Sequence, residues 1–134
     1  MTKILLLLAM IFLHIVDDYY LQGWLATGKQ KSFWEQNAPD QLYKYDYIMA
    51  LFMHSFSWAF MIMIIPTINV FVITPTTNIN VMTILIISVF IFNLCCHMYI
   101  DNLKANKKKI NLIIDQSIHL LQIIWTWFTF VVVV

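Results

Sequence analysis

Apolar residues run through this chain in four long blocks with polar stretches between them, and the blocks fix the expected elements. A helix needs about 20 mostly apolar residues to cross a hydrocarbon layer about 30 Å thick. Residues 4–25, 47–65, 81–100 and 110–134 each meet that length, so each is predicted to be a transmembrane helix. Only helices and closed barrels satisfy the backbone in lipid, and the unbroken blocks lack the alternation of a barrel strand. The expected fold is all-α: four transmembrane helices in a bundle, forming one integral membrane domain over residues 1–134.

The stretches between the blocks read as surface loops. Residues 27–46 carry Lys29, Lys31, Glu35, Asp40 and Lys44, and Ser32-Phe33-Trp34-Glu35 predicts a short interfacial helix capped by Ser32. The second block is predicted to stop at Pro66, with a charge-free loop holding Pro75 up to Asn80. Residues 101–109 form a short linker with four lysines. Residues 1–13 have the look of a signal peptide, with Lys3 ahead of an apolar run, but no small-residue cleavage pattern follows; the segment is read as retained.

Composition agrees with lipid as the solvent, since 61% of residues are hydrophobic and 11% charged, too few to coat a soluble globule. The net charge of +1, with no arginine, gives no footprint for nucleic acid. Cys95 and Cys96 are adjacent inside an apolar block and imply no disulfide framework. Seven of the eight lysines lie in the first and third loops, which by the positive-inside rule puts those loops in the cytoplasm and both termini outside, although Lys3 opposes this. An inner membrane of bacterial or phage origin is the expected location. Tyr19, Tyr20, Trp24, Tyr43, Tyr45, Tyr47 and Tyr99 at one boundary, and Trp125 and Trp127 near the other, read as aromatic belts.

The candidate chemistry lies in the blocks. All four histidines fall inside predicted spans, and three have an aspartate four residues away: His14 with Asp18, His97 with Asp101, and His119 with Asp115. That spacing puts each pair on one helix face. With six aspartates in the chain, three such pairs by accident is an event of roughly a few in a thousand on that helical-face criterion. His54 enters the second span from the same side. At about 1.5 Å per residue, all seven groups fall within roughly 10–15 Å of the Lys-rich face.

Ionisable groups in a bundle need to pair, line water or hold a metal. For one isolated pair a structural hydrogen bond would suffice, but seven convergent groups point to a divalent transition metal. Zinc fits best, with iron or manganese as options, in one or two ions, and His14, Asp18, His54, His97, Asp101, Asp115 and His119 are the candidate ligands. Asp17 reads most simply as a solvated helix-end charge, with general base as the sharper alternative. Gln22 would cap the helix end or bond within the site. Asp17 and Asp18 are the candidate proton acceptors and Lys104 the group that would stabilise phosphate charge.

His14-x-x-x-Asp18-Tyr19-x-Leu21-Gln22, then Trp and Lys, His54, His97-x-x-x-Asp101-x-x-Lys104 and Asp115-Gln116-x-x-His119 resemble the domain-of-unknown-function family 3307, small polytopic membrane proteins of phages and bacteria. The resemblance covers nearly the whole chain, with Tyr19 where the family has Phe. More distantly, the arrangement is similar to predicted membrane-bound metal-dependent hydrolases. The functional expectation is a metal-dependent hydrolase at the cytoplasmic interface, acting on a phosphoester or acyl bond of a membrane lipid or other amphiphilic substrate. The alternatives are a metal or proton transporter, which the almost wholly apolar outer halves of the spans oppose, and a phage-type membrane effector with a structural metal site. A homo-oligomer is compatible with any of these.

Overall fold

The structure, a computed structural model, describes residues 3–73 and 78–133. Among them, four helices are long and apolar enough to cross a membrane: Lys3–Leu21, Gln41–Ile73, Ile79–Ala105 and Leu112–Val133. The first comprises α1 (Lys3–Ile15) and a π-helical turn, Val16–Leu21. Two short helices, α2 (Leu25–Gly28) and α3 (Lys31–Asn37), fill the first loop. The remaining three are α4 (Asp46–Ile68), α5 (Ile79–Ala105) and α6 (Leu112–Trp127). Both α4 and α6 run on into π-helical turns, Asn69–Ile73 and Phe128–Val133. The expected positions of Thr2, Pro75 and Val134 lie outside the described residues.

The four long helices pack as a square, α1 beside α4, α4 beside α5, α5 beside α6 and α6 beside α1. Neighbours run antiparallel, and the Lys-rich loops meet at one end. There Asn106, at the end of α5, accepts from the Lys31 backbone N–H at 2.7 Å and donates to the Lys29 carbonyl at 3.1 Å. At the other end the Trp127 indole donates to the Lys3 carbonyl at 2.9 Å, and Asn69 to the Phe130 carbonyl at 3.0 Å.

Each helix buries one stripe at spacings of three or four residues, as a helix packed on one face must. The stripes are Leu6, Met10 and His14 in α1; Leu51, His54, Trp58 and Ile62 in α4; Val89, Asn93, His97 and Asp101 in α5; and Asp115, His119, Gln122 and Thr126 in α6. The outward faces are apolar: Ile4, Leu8, Phe12, Ile84, Ile87, Ile91 and Leu121 are all exposed. All four histidines thus lie inside the bundle and isoleucines outside it.

Several sequence expectations need correcting. The first span ends at Leu21 rather than 25, because Gly23, with φ of 50°, turns the chain in a left-handed conformation that glycine adopts without strain. Pro66 does not stop the second span; it sits buried inside α4, which continues to Ile68 and through the π turn to Ile73. In an apolar surrounding a broken helix exposes more unpaired backbone than one missing N–H, so continuation wins. The interfacial helix exists as α3, but its N-cap is Gln30 and no side chain caps it, so the Ser32 cap is not formed. Within α3, Lys31 pairs with Glu35 at 3.1 Å, and that hydrogen bond raises the Lys31 pKa. The third span reaches Ala105, and the fourth starts at Leu112, where Asn111 accepts from the Ile114 N–H at 2.9 Å.

Candidate metal centre

The polar ends of the four buried stripes converge in the Lys-rich half of the bundle. All four histidines are at most 2% exposed, and Asp17, Asp101 and Asp115 are equally buried. The His54 Nε2 atom is the hub. It lies 3.1 Å from His97 Nε2, 3.2 Å from Asp101 Oδ2 and 3.4 Å from Asp18 Oδ1. Two ligand atoms each about 2.0–2.1 Å from a tetrahedral ion stand roughly 3.3 Å apart, so these separations match the edges of one coordination shell. Asp101 turns its other oxygen, Oδ1, towards His119 Nε2 at 3.4 Å, and His119 Nε2 is 3.5 Å from Asp115 Oδ1. Two sets of ligand atoms, Asp18/His54/His97 and His97/Asp101/His119, each gather within 4.8 Å, and they share His97.

Orphaned atoms mark what is missing. Asp17 Oδ2, Asp18 Oδ1, Asp115 Oδ1, His54 Nδ1 and His97 Nδ1 are buried without a hydrogen-bond partner. Of the three carboxylate oxygens, those of Asp18 and Asp115 both face an imidazole of the cluster. Unpartnered buried oxygens cost free energy, and a cation at the centre of the cluster would satisfy both. Among the described residues two ammoniums pair with carboxylates of the cluster, Lys29 with Asp101 and Lys104 with Asp115. The buried His/Asp groups can therefore hold a metal ion.

His14 stands apart from both sets. Its Nδ1 accepts from the Trp58 indole at 2.7 Å, and an indole N–H can only donate, so the ring proton sits on Nε2. Nε2 then donates to Gln116 Oε1 at 3.0 Å, which fixes the direction of the Gln116 amide. The Gln116 NH₂ donates in turn to Asp18 Oδ2 at 3.2 Å and Asp115 Oδ2 at 3.1 Å. One oxygen of each carboxylate is held, and the opposite oxygen of each is the orphan that faces the cluster. With both ring nitrogens engaged, His14 orients the site; to be a ligand it would have to release Trp58 or Gln116. Trp58 also stacks on His97, with ring centroids 4.2 Å apart and planes inclined by 19°.

Asp17 and Asp18 lie on the π-helical turn, a widened geometry frequent at functional sites. Asp17 is not a solvated charge, being 1% exposed and accepting from Ser57 Oγ at 2.5 Å. It belongs to neither ligand set. Gln22 donates to the Asp18 carbonyl at 2.7 Å and so ties the turn to the strand of chain that follows.

Sequence reading missed Lys29, Gln116 and Trp58. Lys29, expected as a loop lysine that signals topology, is 6% exposed and reaches Asp101 Oδ2 at 2.5 Å. Lys104 pairs with Asp115. The outer halves of the spans are also less apolar inside than expected. Beyond the histidines, the Gln122 amide oxygen accepts from His119 Nδ1 at 3.2 Å, and Asn93 donates to Thr126 at 2.9 Å. This polar column ends against Met10, Ile62, Ile123 and Phe130, each 0% exposed.

A cavity of about 390 Å³ lies over the centre, lined by Asp18, Tyr19, Gln22, Lys29, Lys104 and Gln116 among others. Volumes of roughly 300–1,000 Å³ are usual for small-molecule sites. Compared with protein-family models, curated proteins and solved structures, the chain matches none.

Proposed function

We propose that the protein is a membrane-embedded, metal-dependent hydrolase that works at its Lys-rich face on a phosphoester or acyl bond of a lipid-like substrate. The observation that carries this reading is the cavity, whose lining includes Asp18 of the ligand cluster together with two lysines. A divalent ion held by the histidines and aspartates would supply Lewis acidity to water and to a substrate oxygen. Asp18, which belongs to the ligand cluster and also lines the cavity, is the candidate proton acceptor. Each lysine uses one N–H on its aspartate and keeps others for a substrate phosphate oxygen. Gln116 holds Asp18 and Asp115 in register. Purified protein with its native metal should turn over a phospholipid or lipid-linked phosphate, and lose that activity on chelation and in Asp101→Ala and His119→Ala. A broad lipid and phosphoester screen without metal-dependent turnover would refute the reading.

The polar column through Gln122, Asn93 and Thr126 favours one second reading, a metal or proton transporter. Its apolar end at Met10, Ile62 and Phe130 weighs against it. Flux into proteoliposomes, measured for protons, zinc and manganese, separates the two.

Four membrane crossings with the Lys-rich loops in the cytoplasm are part of the same proposal. Cysteines at Lys31 and Lys108 should share one labelling pattern with an impermeant reagent, and a cysteine at Asn80 should have the opposite one. Unlike labelling of the first two would remove the four-span topology. Membership of family 3307 is proposed on the motif residues alone, most of which line the centre or its cavity.

A further inference from the structure

An imidazole can offer a lone pair to a metal only from the ring nitrogen that does not carry its proton, and for two of the four histidines a glutamine decides which one that is. His14 keeps its proton on Nε2, because Nδ1 accepts from Trp58 and Nε2 faces the Gln116 oxygen. His119 is held the other way round. The amide nitrogen of Gln122 lies 3.4 Å from the Asn93 carbonyl oxygen and 3.4 Å from Asn93 Oδ1. A backbone carbonyl can only accept, so the Gln122 NH₂ faces Asn93 and its oxygen faces His119. That oxygen is 3.2 Å from His119 Nδ1, which is therefore an N–H.

The opposite nitrogen, His119 Nε2, looks into the cluster. Asp101 Oδ1 lies 3.4 Å away and Asp115 Oδ1 3.5 Å away. Two carboxylate oxygens facing a ring nitrogen need something positive between them, either a second proton on the ring or a metal ion. The spacing separates the two. A protonated imidazole draws a carboxylate oxygen in to about 2.7–2.9 Å, the usual length of an N–H···O bond between ions. Ligand atoms around one tetrahedral ion stand roughly 3.3 Å apart, and the observed separations match that. His97 adds the next donor, since ligand atoms of His97, Asp101 and His119 gather within 4.8 Å of one another.

The other set, Asp18, His54 and His97, lacks this preparation. Among the described residues, His54 Nδ1 and His97 Nδ1 have no hydrogen-bond partner, whereas a ligating histidine almost always donates its outer N–H to an oxygen. His119 alone has its outer N–H held and its inner nitrogen aimed at two carboxylates.

Resting on the metal reading above, we propose that Gln122, anchored on the Asn93 carbonyl, presets His119 as a metal ligand through Nε2, and that an ion of the centre binds at His97, Asp101 and His119 with the unpartnered Asp115 Oδ1 as a further donor. Gln122 is a positioning residue. It touches no ion and acts only by fixing the ring of His119 and the nitrogen that carries its proton.

Nitrogen NMR tests this without any activity assay. Protein in detergent, labelled with isotope-enriched histidine, is loaded with NMR-active cadmium, and the His119 signals are assigned by their loss in His119→Ala. His119 should carry a proton on Nδ1 and show scalar coupling to cadmium at Nε2. Gln122→Leu removes the acceptor and should lower cadmium and zinc affinity by about 10–100-fold, while Gln122→Glu, whose carboxylate still accepts from Nδ1, should stay within about threefold of wild type. In protein that holds the ion, a His119 ring protonated on both nitrogens, coupled through Nδ1, or uncoupled would overturn the assignment. A folded Gln122→Leu variant with wild-type affinity would do the same; if that variant does not fold, the wild-type spectrum decides alone. Binding of neither zinc, cadmium nor manganese would remove the metal reading and this inference with it. The expected spectrum in a protein that hydrolyses no lipid would support the assignment and remove the hydrolase reading alone.

Discussion

The two halves of the bundle core use the same stripe positions for opposite purposes. Towards the Lys-rich end the stripes carry His14, His54, His97, His119 and their aspartates; towards the other end the same faces carry Met10, Ile62, Val89, Ile123 and Phe130. The helix geometry is common to both halves. What differs is how the interior is satisfied: by packing in one half, and by charge-assisted contacts plus unfilled oxygens in the other. Packing and interhelical polar contacts are two means of holding a bundle of apolar helices together. This molecule assigns one to each half. The packed half can be complete in the protein alone, whereas the polar half has buried lone pairs that no described residue satisfies.

The comparison breaks most visibly through the ligands. His97→Ala should lower metal affinity by at least about 100-fold, since a lost ligand leaves the remaining carboxylates unbalanced; isothermal competition against a chelator measures it. In the packed half, Ile62→Ala should leave metal affinity within about twofold but destabilise the bundle by roughly 2–4 kcal/mol through the cavity it opens. Unfolding in mixed detergent reads the second number. Equal loss of metal in both variants would mean that the halves are not separable and that the centre depends on overall packing.

A smaller effect is expected at Gln116, which sharpens the comparison within the polar half. Its amide holds one oxygen of Asp18 and one of Asp115 while accepting from His14. Outer partners of this kind are typically worth 10–100-fold in metal affinity. Gln116→Leu should fall in that range, with Gln116→Asn too short to reach both carboxylates and similarly impaired. Trp58→Phe keeps the ring that stacks on His97 and removes the N–H to His14, so it should cost less than Gln116→Leu. If neither change moves metal affinity, the directed chain from Trp58 to the carboxylates is only packing.

Much of the polar half was legible in the sequence, because a His and an Asp four residues apart must share a face, and three such pairs together with His54 at one depth must meet in a bundle. The pairs at His97/Asp101 and Asp115/His119 and the entry of His54 from the same side needed only helical rise and block boundaries. Lys29 was not legible. A lysine in a polar loop carries the same signal whether it faces water or folds back under α2, and only the clasp of Asn106 on the Lys29 and Lys31 backbone turns it inward. Pro66 misled for a related reason, since its local preference to end a helix was overridden by the demand for paired backbone among apolar neighbours. Gln116 stood in the motif Asp115-Gln116-x-x-His119 without a role of its own; a glutamine beside an aspartate acquires one from the third partner, His14, brought by another helix.

The smallest expected effect lies where the two halves meet, at Asn93 and Thr126. Their side chains are fully buried and joined at 2.9 Å, one turn beyond His97 and two beyond His119. If the pair only knits α5 to α6, it is an ordinary interhelical hydrogen bond, worth about 0.6 kcal/mol on average in a membrane bundle. Thr126→Val keeps the shape, removes the hydroxyl, and should lower stability by about that much while leaving metal affinity unchanged. The double-mutant cycle with Asn93→Leu isolates the bond from the packing change, because Leu also adds apolar contact with Val89 and Ile123. The same two variants bear on the transport reading. A column that carried protons or ions would lose flux by orders of magnitude when this polar step beyond Gln122 was made apolar, whereas a structural bond would leave proteoliposomes as tight as before. A large fall in flux with an unchanged melting temperature would move the polar column from the scaffold to the working part of the molecule, and the apolar end at Met10 and Phe130 would then have to be a gate.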